Sequence, residues 1–313
     1  MRIVFCGTPH FAVPTFIHLL AQPDIEIAAV ITQPDRPRGR GRQISPSPVK
    51  EAAIAANVPV HQPEKIRSPE AQDLLQRLAP DCIVIIAYGQ IIPASLLKIP
   101  NLGWINLHAS LLPKYRGAAP INWAIANGET QTGITTMRID AGMDTGDILL
   151  QEKIGFAPEE TAPELAKSMA EAGPPLMIDT LRRLAEGKLI PRPQNNDEAS
   201  YAPLLKKEDG RIDWNRPAQE IYNRMRGFAP WPGAYTSFRG QTCHIWAEPF
   251  FLPTLPGSAP GTIFLEDTQI LIACGHATLL RLLSIKVEGR QRIPAVEFAN
   301  GARLTERERF DNT

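Results

Sequence analysis

The chain has 313 residues, enough for two domains, and its 43% hydrophobic content allows large buried cores. Lysine and arginine together number 33, as do aspartate and glutamate, so the formal net charge at pH 7 is zero. This balance excludes the strongly basic field of a protein that coats nucleic acid, but it leaves room for a local basic patch.

Cysteine usage and the N-terminus indicate a cellular compartment. The four cysteines are far apart in sequence and form no Cys-x-x-Cys motif, which is typical of buried, reduced thiols in a cytosolic protein. The N-terminal residues enter a strand pattern without a signal peptide, and no apolar run is long enough to span a bilayer. We therefore expect a cytoplasmic protein with no membrane association, or an organelle protein of the stroma or matrix whose transit peptide has been removed.

Strands alternate with helices through the first half of the chain. The apolar patterns predict strands at 2–6, 25–31, 81–88, 103–109 and 132–139, and helices at 10–21, 47–57 and 68–78. This alternation of helices with nearly continuous apolar strands indicates an α/β fold, a Rossmann-like parallel sheet with helices on both faces. In such sheets, ligands bind at the carboxyl ends of the strands.

The composition and periodicity of the sequence change after about residue 187. A helical region ends there, with a break predicted at Gly173-Pro174-Pro175, and the polar, proline-bearing stretch 188–203 has no periodicity. A helix at 218–228 precedes short apolar runs at the spacing of a small antiparallel β-barrel or sandwich. We predict a catalytic domain at 1–189, a linker at 190–205 and a C-terminal β-barrel domain at 206–313.

Two chemically useful side chains end one of the predicted strands. Asn106 and His108 lie two residues apart, so their side chains point to the same side of the strand. The glycine-rich loop after the next strand carries three carboxylates, Asp140, Asp144 and Asp147. An amide that donates to an oxyanion, an acid/base imidazole and a carboxylate that orients the imidazole suit acyl transfer. In such a reaction the substrate would bring its own nucleophile.

Other interpretations of these residues stay open at this level. Asn106 and His108 could form a hydrogen-bonded polar pair in the core, and the three aspartates could bind a divalent metal ion. A nucleophilic enzyme is disfavoured, because Ser110 lacks the G-x-S-x-G elbow and no cysteine is placed like an activated nucleophile.

Five segments together resemble the folate-dependent formyltransferases over essentially the whole chain. They are IIAYGQIIP (85–93), NLHASLLPKYRGAAPINWAI (106–125), MRIDAGMDTGDI (137–148), TQPDRPRGRGRQISPSPVKEAA (32–53) and RIDWNRPAQEIYNRMRGFAPWPGAY (211–235). The last two narrow the resemblance to the branch that formylates methionine carried by initiator tRNA. It implies a Rossmann-like formyltransferase domain followed by a small open, OB-like β-barrel that binds tRNA.

The resemblance also implies a reaction and a set of site residues. The formyl group of 10-formyltetrahydrofolate would pass to the α-amine of initiator Met-tRNA, in a monomer that needs no metal. Asn106 would hold the developing oxyanion, while His108, supported by Asp144, would move protons. The implied folate contacts are Tyr88, Gln90, Ile91, Ser110, Leu111, Leu112, Pro113 and Gly142.

An arginine-rich loop is the implied contact for the acceptor end of tRNA. Its guanidinium groups, on a pliable glycine- and proline-bearing backbone, can follow phosphates and stack on bases; they are Arg36, Arg38, Arg40 and Arg42. Arg40 is the best match to the acceptor-arm arginine of the family. In isolation such a stretch is more often a solvated, mobile loop.

Basic residues of the C-terminal half add to the expected tRNA contacts. We expect some of seven to touch the tRNA backbone, namely Lys206, Lys207, Arg211, Arg224, Arg226, Arg290 and Arg292. Rival members of the family, the sugar-nucleotide formyltransferases and the formyltetrahydrofolate hydrolases, carry a similar second domain but lack the arginine-rich loop. A tRNA-binding module without activity is disfavoured, because Asn106, His108 and Asp144 are all present.

Overall fold

The computed structural model describes residues 1–38, 43–252, 258–266, 268–305 and 307–311. The chain forms two compact units. Unit 1 comprises Met1–Pro120, Gln131–Phe156 and Glu164–Ala202, and unit 2 comprises Ile121–Thr130, Ala157–Pro163 and Pro203–Thr313.

Helices and strands alternate in unit 1, whereas most elements of unit 2 are strands. In chain order the helices are α1 (Val13–Leu20), α2 (Pro48–Ala55), α3 (Pro69–Leu78), α4 (Pro120–Ala126), α5 (Ala162–Ala185), α6 (Ala218–Gly227) and α7 (Ala295–Ala302). The first nine strands are β1 (Arg2–Gly7), β2 (Glu26–Ile31), β3 (Arg36–Arg38), β4 (Gln43–Ser45), β5 (Val60–His61), β6 (Cys82–Ile86), β7 (Trp104–His108), β8 (Gln131–Arg138) and β9 (Ile148–Gly155). The remaining strands are β10 (Tyr235–Phe238), β11 (Gln241–Phe250), β12 (Ile263–Glu266), β13 (Gln269–Cys274), β14 (Thr278–Val287) and β15 (Ile293–Pro294).

Unit 1 is built on a seven-stranded sheet of order β5-β2-β1-β6-β7-β8-β9. The strands from β5 to β7 are parallel, which confirms the predicted α/β class, and every residue of β6 is buried. Strand β8 runs antiparallel to both of its neighbours, β7 and β9, although a parallel sheet was predicted throughout. A parallel pair needs a crossover, usually a helix, between its strands. The only helix between β7 and β8 is α4, and all but its first residue belongs to unit 2.

Helix α5 is continuous, so the break predicted at Gly173 is wrong. Pro174 and Pro175 lie inside the helix, although an interior proline costs about 3 kcal/mol. A side chain at Gly173 would place its Cβ 2.7 Å from Leu107 Cδ2 and 3.0 Å from Thr15 Oγ1, so the glycine allows the helix to lie close to its neighbours. Burial of apolar side chains along the helix offsets the cost of the prolines; fully buried are Leu165, Met169, Met177 and Leu181.

Unit 2 contains a small antiparallel sheet of order β10-β11-β14-β13-β12, with β15 paired to β14. The end of the chain joins the two edges of this sheet. Asp311 bridges to Ser237 in edge strand β10, and Arg309 bridges to Thr262 immediately before edge strand β12. Phe310, between them, stacks on the buried Trp214 at 5.7 Å between ring centroids. The predicted C-terminal β-barrel is confirmed in this form.

Two further features of the described residues concern membrane helices and cysteines. Within the described ranges, no helix combines the length and apolar character needed to cross a membrane. All four cysteines are free and buried, and burial raises the pKa of the Cys243 thiol to about 11 and of Cys82 and Cys274 to about 12. These thiols stay protonated at neutral pH and are therefore poor nucleophiles.

Candidate active site

The candidate site lies at the end of β7, an inner strand of the seven-stranded sheet. Asn106 pairs with Ile85 on the parallel side and with Met137 on the antiparallel side, and His108 pairs with Thr135. The two residues share a face of the strand, as their spacing predicts. His108 is buried, with 6% of its surface exposed, whereas Asn106 is partly exposed. Among the described residues, the amide of Asn106 has no hydrogen-bond partner, so its donors are free for a ligand.

The tautomer of His108 is fixed by a backbone carbonyl. Its Nε2 lies 2.9 Å from the carbonyl oxygen of Tyr115, and because a carbonyl only accepts, Nε2 carries the hydrogen. Nδ1 is therefore the nitrogen that gains and loses a proton. The residue pattern predicts that an aspartate fixes the imidazole ring, but in the structure the carbonyl of Tyr115 selects the tautomer.

Asp144 faces the basic nitrogen of His108. Its Oδ2 lies 3.7 Å from Nδ1 and accepts a hydrogen bond of 2.8 Å from the backbone N–H of Gly117. The ion-pair distance is longer than a direct hydrogen bond, so Nδ1 is not occupied by the carboxylate and can exchange a proton with a substrate.

The loop between β8 and β9 brings Asp144 to this position. Because β8 is antiparallel, it ends with Arg138 beside Ile105, at the start of β7, and the loop must return along the sheet by about 10 Å to reach His108. Asp140 organises the loop by accepting hydrogen bonds from Gly142 N (2.9 Å) and Thr145 Oγ1 (2.7 Å). No group of three or more possible metal ligands occurs in the described part of the chain.

The predicted folate segment 110–113 is a turn held by its neighbours. Ser110 is fully buried and its Oγ donates to the carbonyl of Lys114 at 2.6 Å. The backbone of Leu112 donates to Thr135 Oγ1 at 3.2 Å and accepts from Gln151 Nε2 at 2.9 Å. Partly exposed in the same turn are Leu111 and Pro113. Ser110 is therefore a structural residue of the turn, and the accessible surface comes from its neighbours.

Tyr88, Gln90 and Ile91 differ in what they present to a ligand. Tyr88 is 2% exposed and belongs to a core cluster, so a ligand here would meet its backbone rather than its phenol. Gln90 holds a neighbouring loop, because its Oε1 accepts from Ile66 N at 2.7 Å. Ile91 is 87% exposed. Gly142 is exposed too, and a Cβ there would come 2.0 Å from Thr145 Oγ1, so the loop requires glycine.

The arginine-rich segment begins and ends as a hairpin of β3 and β4. Arg36 is exposed, and Arg38 lies in β3. Arg40, Arg42 and the side chain of Arg38 lie outside the described residues. Lys50 braces the base of the hairpin, with its Nζ bonded to Asp35 and, at 2.7 Å, to Gln62 Oε1.

The basic residues of the C-terminal half divide into two groups. Arg226 is 6% exposed and donates to Glu160 O and Asn223 Oδ1, and Arg224 donates to the carbonyl of Asp209, so both serve the interior of unit 2. Five side chains are exposed, namely Lys206, Lys207, Arg211, Arg290 and Arg292. The guanidinium of Arg292 stacks 3.9 Å from the centroid of the Trp246 ring.

Sequence reasoning missed the side chains that support this site. Arg116 is 2% exposed, and its guanidinium bonds Gln194 in the stretch predicted to be a linker. Gln194 in turn bonds the loop that carries Asp144. The one available signal was the position of Arg116, which follows Ser110–Pro113 closely in a motif already singled out.

The chain thus combines an α/β unit, with Asn106, His108 and Asp144 at the end of its inner strand β7, and a small antiparallel unit. The chain belongs to the formyl transferase family: the family profile for the formyl transferase domain matches residues 1–181, and that for the formyl transferase C-terminal domain matches residues 204–303.

Several similar relatives belong to one branch of this family. The chain is 53% identical over 311 residues to the methionyl-tRNA formyltransferase of Solibacter usitatus, covering 99% of this chain and 98% of that protein. It is 53% identical over 304 residues to that of Koribacter versatilis, covering 97% of this chain and 96% of that protein. Among solved structures, it resembles the N-formyltransferase from Helicobacter canadensis, in complex with folinic acid and dTDP-3-aminofucose. That match has a TM-score of 0.65 and 19% identity, covers 90% of this chain and 98% of that one, and shows a shared fold.

Proposed function

We propose that this chain transfers the formyl group of 10-formyltetrahydrofolate to the α-amine of methionyl-tRNA, giving N-formylmethionyl-tRNA and tetrahydrofolate. The observation that carries the proposal is the identity of 53% to methionyl-tRNA formyltransferases over nearly the whole of both chains. The site supports it, because it offers acid/base and oxyanion-binding groups without a protein nucleophile, and the amine of the substrate supplies that nucleophile.

Asn106 acts on the formyl oxygen. The folate supplies the formyl carbon that the amine attacks, and negative charge then develops on the formyl oxygen. The amide of Asn106, which is partly exposed and has no partner among the described residues, donates a hydrogen bond to that oxygen. Exposed residues of the loops that follow β6 and β8, Ile91 and Gly142, would supply surface for the folate.

His108 moves the proton. With Nε2–H held by Tyr115, Nδ1 takes a proton from the attacking amine and returns it to the departing nitrogen of the folate. Asp144 stabilises the imidazolium that forms in between, from a distance of 3.7 Å. No metal is required, since proton transfer and oxyanion binding together complete the exchange.

The identity of the tRNA and the residues that bind it can be proposed as well. We infer that the substrate is the initiator tRNA, that Arg36, Arg38, Arg40 and Arg42 hold its acceptor end, and that the C-terminal barrel domain binds its backbone. The exposed Arg36 and the exposed basic residues of unit 2 support this proposal. The protein would act as a monomer in the cytoplasm, where initiator tRNA is charged. Parallel assays with initiator and elongator Met-tRNA test the choice of tRNA, and we expect a higher kcat/KM for the initiator.

Replacing Arg40 with alanine should weaken the use of Met-tRNA severely and leave tetrahydrofolate binding almost unchanged. Loss of one cation that contacts a phosphate should also flatten the salt dependence of binding by a slope of about 0.7, the single-strand value. Arg40→Lys should restore part of the activity, because an ammonium does not stack or fork like a guanidinium.

Steady-state kinetics across a salt series measure both effects. Arg67→Ala is the matched control, since Arg67 is an exposed arginine of unit 1 outside the hairpin and its loss removes the same charge. Unchanged Met-tRNA kinetics and an unchanged salt slope in Arg40→Ala would mean that the arginine-rich segment is a solvated surface loop and does not bind tRNA.

A metal chelator should leave formyl transfer intact at saturating folate, because the proposed chemistry uses only Asn106, His108 and Asp144. The assay must hold the folding of the tRNA constant with a polyamine, since tRNA itself binds magnesium. Inhibition that one divalent ion reverses, with the tRNA still folded, would instead assign a metal to the aspartates of the 140–147 loop.

A further inference from the structure

Residues 190–205, predicted to be a linker, form hydrogen bonds with two segments around the active site. One is the loop after β7 that contains Tyr115 and Arg116, and the other is the region between β8 and β9 that carries Asp144. At one end, Arg192 and Ile148 exchange two backbone hydrogen bonds of 2.9 Å. At the other end, the carbonyl of Ser200 accepts from Arg116 N at 2.8 Å, and Ala202 N donates to the carbonyl of Arg116 at 2.7 Å. Ser200 Oγ also accepts from the backbone N–H of Tyr115, the residue whose carbonyl holds His108. The segment therefore contacts the surroundings of both His108 and Asp144.

Gln194, in the middle of this segment, uses its whole hydrogen-bonding capacity. Its Nε2 donates to the carbonyl oxygens of Asp144 (2.8 Å) and Gly146 (2.7 Å). Its Oε1 accepts from Arg116 Nε (3.0 Å) and Nη2 (2.8 Å). Since a guanidinium only donates and a carbonyl only accepts, the amide of Gln194 has one possible orientation. Four bonds of this kind fix the side chain and tie the two loops together.

Arg116 stabilises this orientation of the Gln194 amide. Its guanidinium is buried, and among the described residues its acceptors are the neutral amide oxygens of Gln194 and Asn196, with no carboxylate. A buried charge that loses a hydrogen-bond acceptor is strongly destabilised. Gln194 is therefore held against Arg116 and presents its N–H groups to the catalytic loop.

Asp144 needs to be held from outside its own loop. Its φ of 53° lies in the left-handed region, which is uncommon for residues other than glycine. Its carboxylate is fixed by Gly117 N, and its carbonyl by Gln194. The contact with His108 spans 3.7 Å and is too long to hold the loop by itself.

We propose that Gln194 is a positioning residue for formyl transfer: by holding the carbonyl oxygens of Asp144 and Gly146 it sets the place of the Asp144 carboxylate beside His108. This inference rests on the proposed function, because it acts through the dyad of Asp144 and His108. Gln194 itself touches neither of the reacting groups.

The test compares Gln194→Glu with Asn196→Asp. Both variants place a carboxylate against the guanidinium of Arg116, but only Gln194→Glu removes the N–H donors to the 144–146 loop. A displacement of about 1 Å at a catalytic group costs about 10²-fold. We expect Gln194→Glu to lower kcat for formyl transfer about tenfold to a hundredfold and Asn196→Asp to leave it unchanged. Thermal melting shows that each variant is folded, and kcat is compared at a temperature below the melting transition of the least stable variant.

A double-mutant cycle separates positioning from a general structural role. If Gln194 acts through Asp144, Gln194→Glu should cost no further rate in an Asp144→Ala background under single-turnover conditions. An equal loss in both backgrounds, a wild-type kcat in Gln194→Glu, or an equal loss in Asn196→Asp would each overturn the inference. Wild-type protein that forms no formylmethionyl-tRNA would instead overturn the proposed function, and the inference with it.

Discussion

Replacing Asn106 with alanine is expected to lower kcat by about 10²–10³-fold. The amide is the free hydrogen-bond donor on the face of β7 that it shares with His108, and loss of one oxyanion donor costs about 3–4 kcal/mol of transition-state stabilisation. The KM values for both substrates should change little, because the interaction forms mainly in the transition state. Steady-state kinetics with both substrates varied measure the effect.

Asn106→Asp is the matched variant. Aspartate has the same shape but no N–H donor, and its negative charge would repel the developing oxyanion, so this variant should be at least as impaired as Asn106→Ala. The partly exposed position makes both changes tolerable for the fold, and thermal melting should show it. Near-normal turnover in either variant would remove Asn106 from the mechanism.

Asp144→Asn should lower kcat by about two orders of magnitude, nearly as much as Asp144→Ala. The amide oxygen of the variant can still accept from Gly117 N, so the loop should keep its place while the negative charge beside His108 is lost. Proton transfer by a positioned base contributes about 10²–10⁴-fold, and the charge stabilises the protonated base.

Asp147→Asn is the control for this change. Asp147 lies on the same loop and loses the same charge, but it has no ion pair among the described residues. We expect its kcat to stay close to that of the wild type. A loss in Asp147→Asn that equals the loss in Asp144→Asn would assign the effect to the overall charge of the loop rather than to the dyad.

Local patterns predicted the parts of the fold that depend on short-range periodicity. The spacing of Asn106 and His108 placed them on one face because side chains alternate along any strand. The apolar run within 81–88 predicted the buried strand β6 (Cys82–Ile86), because a short run without polar residues is typical of a strand covered on both faces.

Features set by distant contacts were beyond these patterns. Gly173-Pro174-Pro175 breaks an isolated helix, but in α5 the packing of the glycine against Leu107 and Thr15 and the burial of the helix outweigh the prolines. The antiparallel direction of β8 relative to β7 was not predicted either, because it depends on the path of the chain between the two strands and not on the periodicity of either strand.

The site shows the same division. The residue pattern alone placed a carboxylate near His108 without deciding which of three, and only the family resemblance pointed to Asp144. The choice depends on how the 140–147 loop returns along the sheet. The carboxylate of Asp140 accepts hydrogen bonds from Gly142 and Thr145 within the loop, whereas the carboxylate of Asp144 faces the imidazole ring of His108. The supporting role of Gln194 is invisible in a polar, proline-bearing stretch, since its bonds to Arg116 and to the 144–146 loop span 78 and up to 50 residues.

The central claim is that the site passes a formyl group to the amine of methionyl-tRNA. The most direct measurement follows purified protein with 10-formyltetrahydrofolate and Met-tRNA, and quantifies tetrahydrofolate and N-formylmethionyl-tRNA by mass spectrometry, with an amino-sugar nucleotide and water alone as competing acceptors. We predict one formylmethionyl-tRNA for each tetrahydrofolate released, and no turnover when Met-tRNA is omitted. Tetrahydrofolate released without formylated tRNA, or formyl transfer to the sugar nucleotide in its place, would contradict the account.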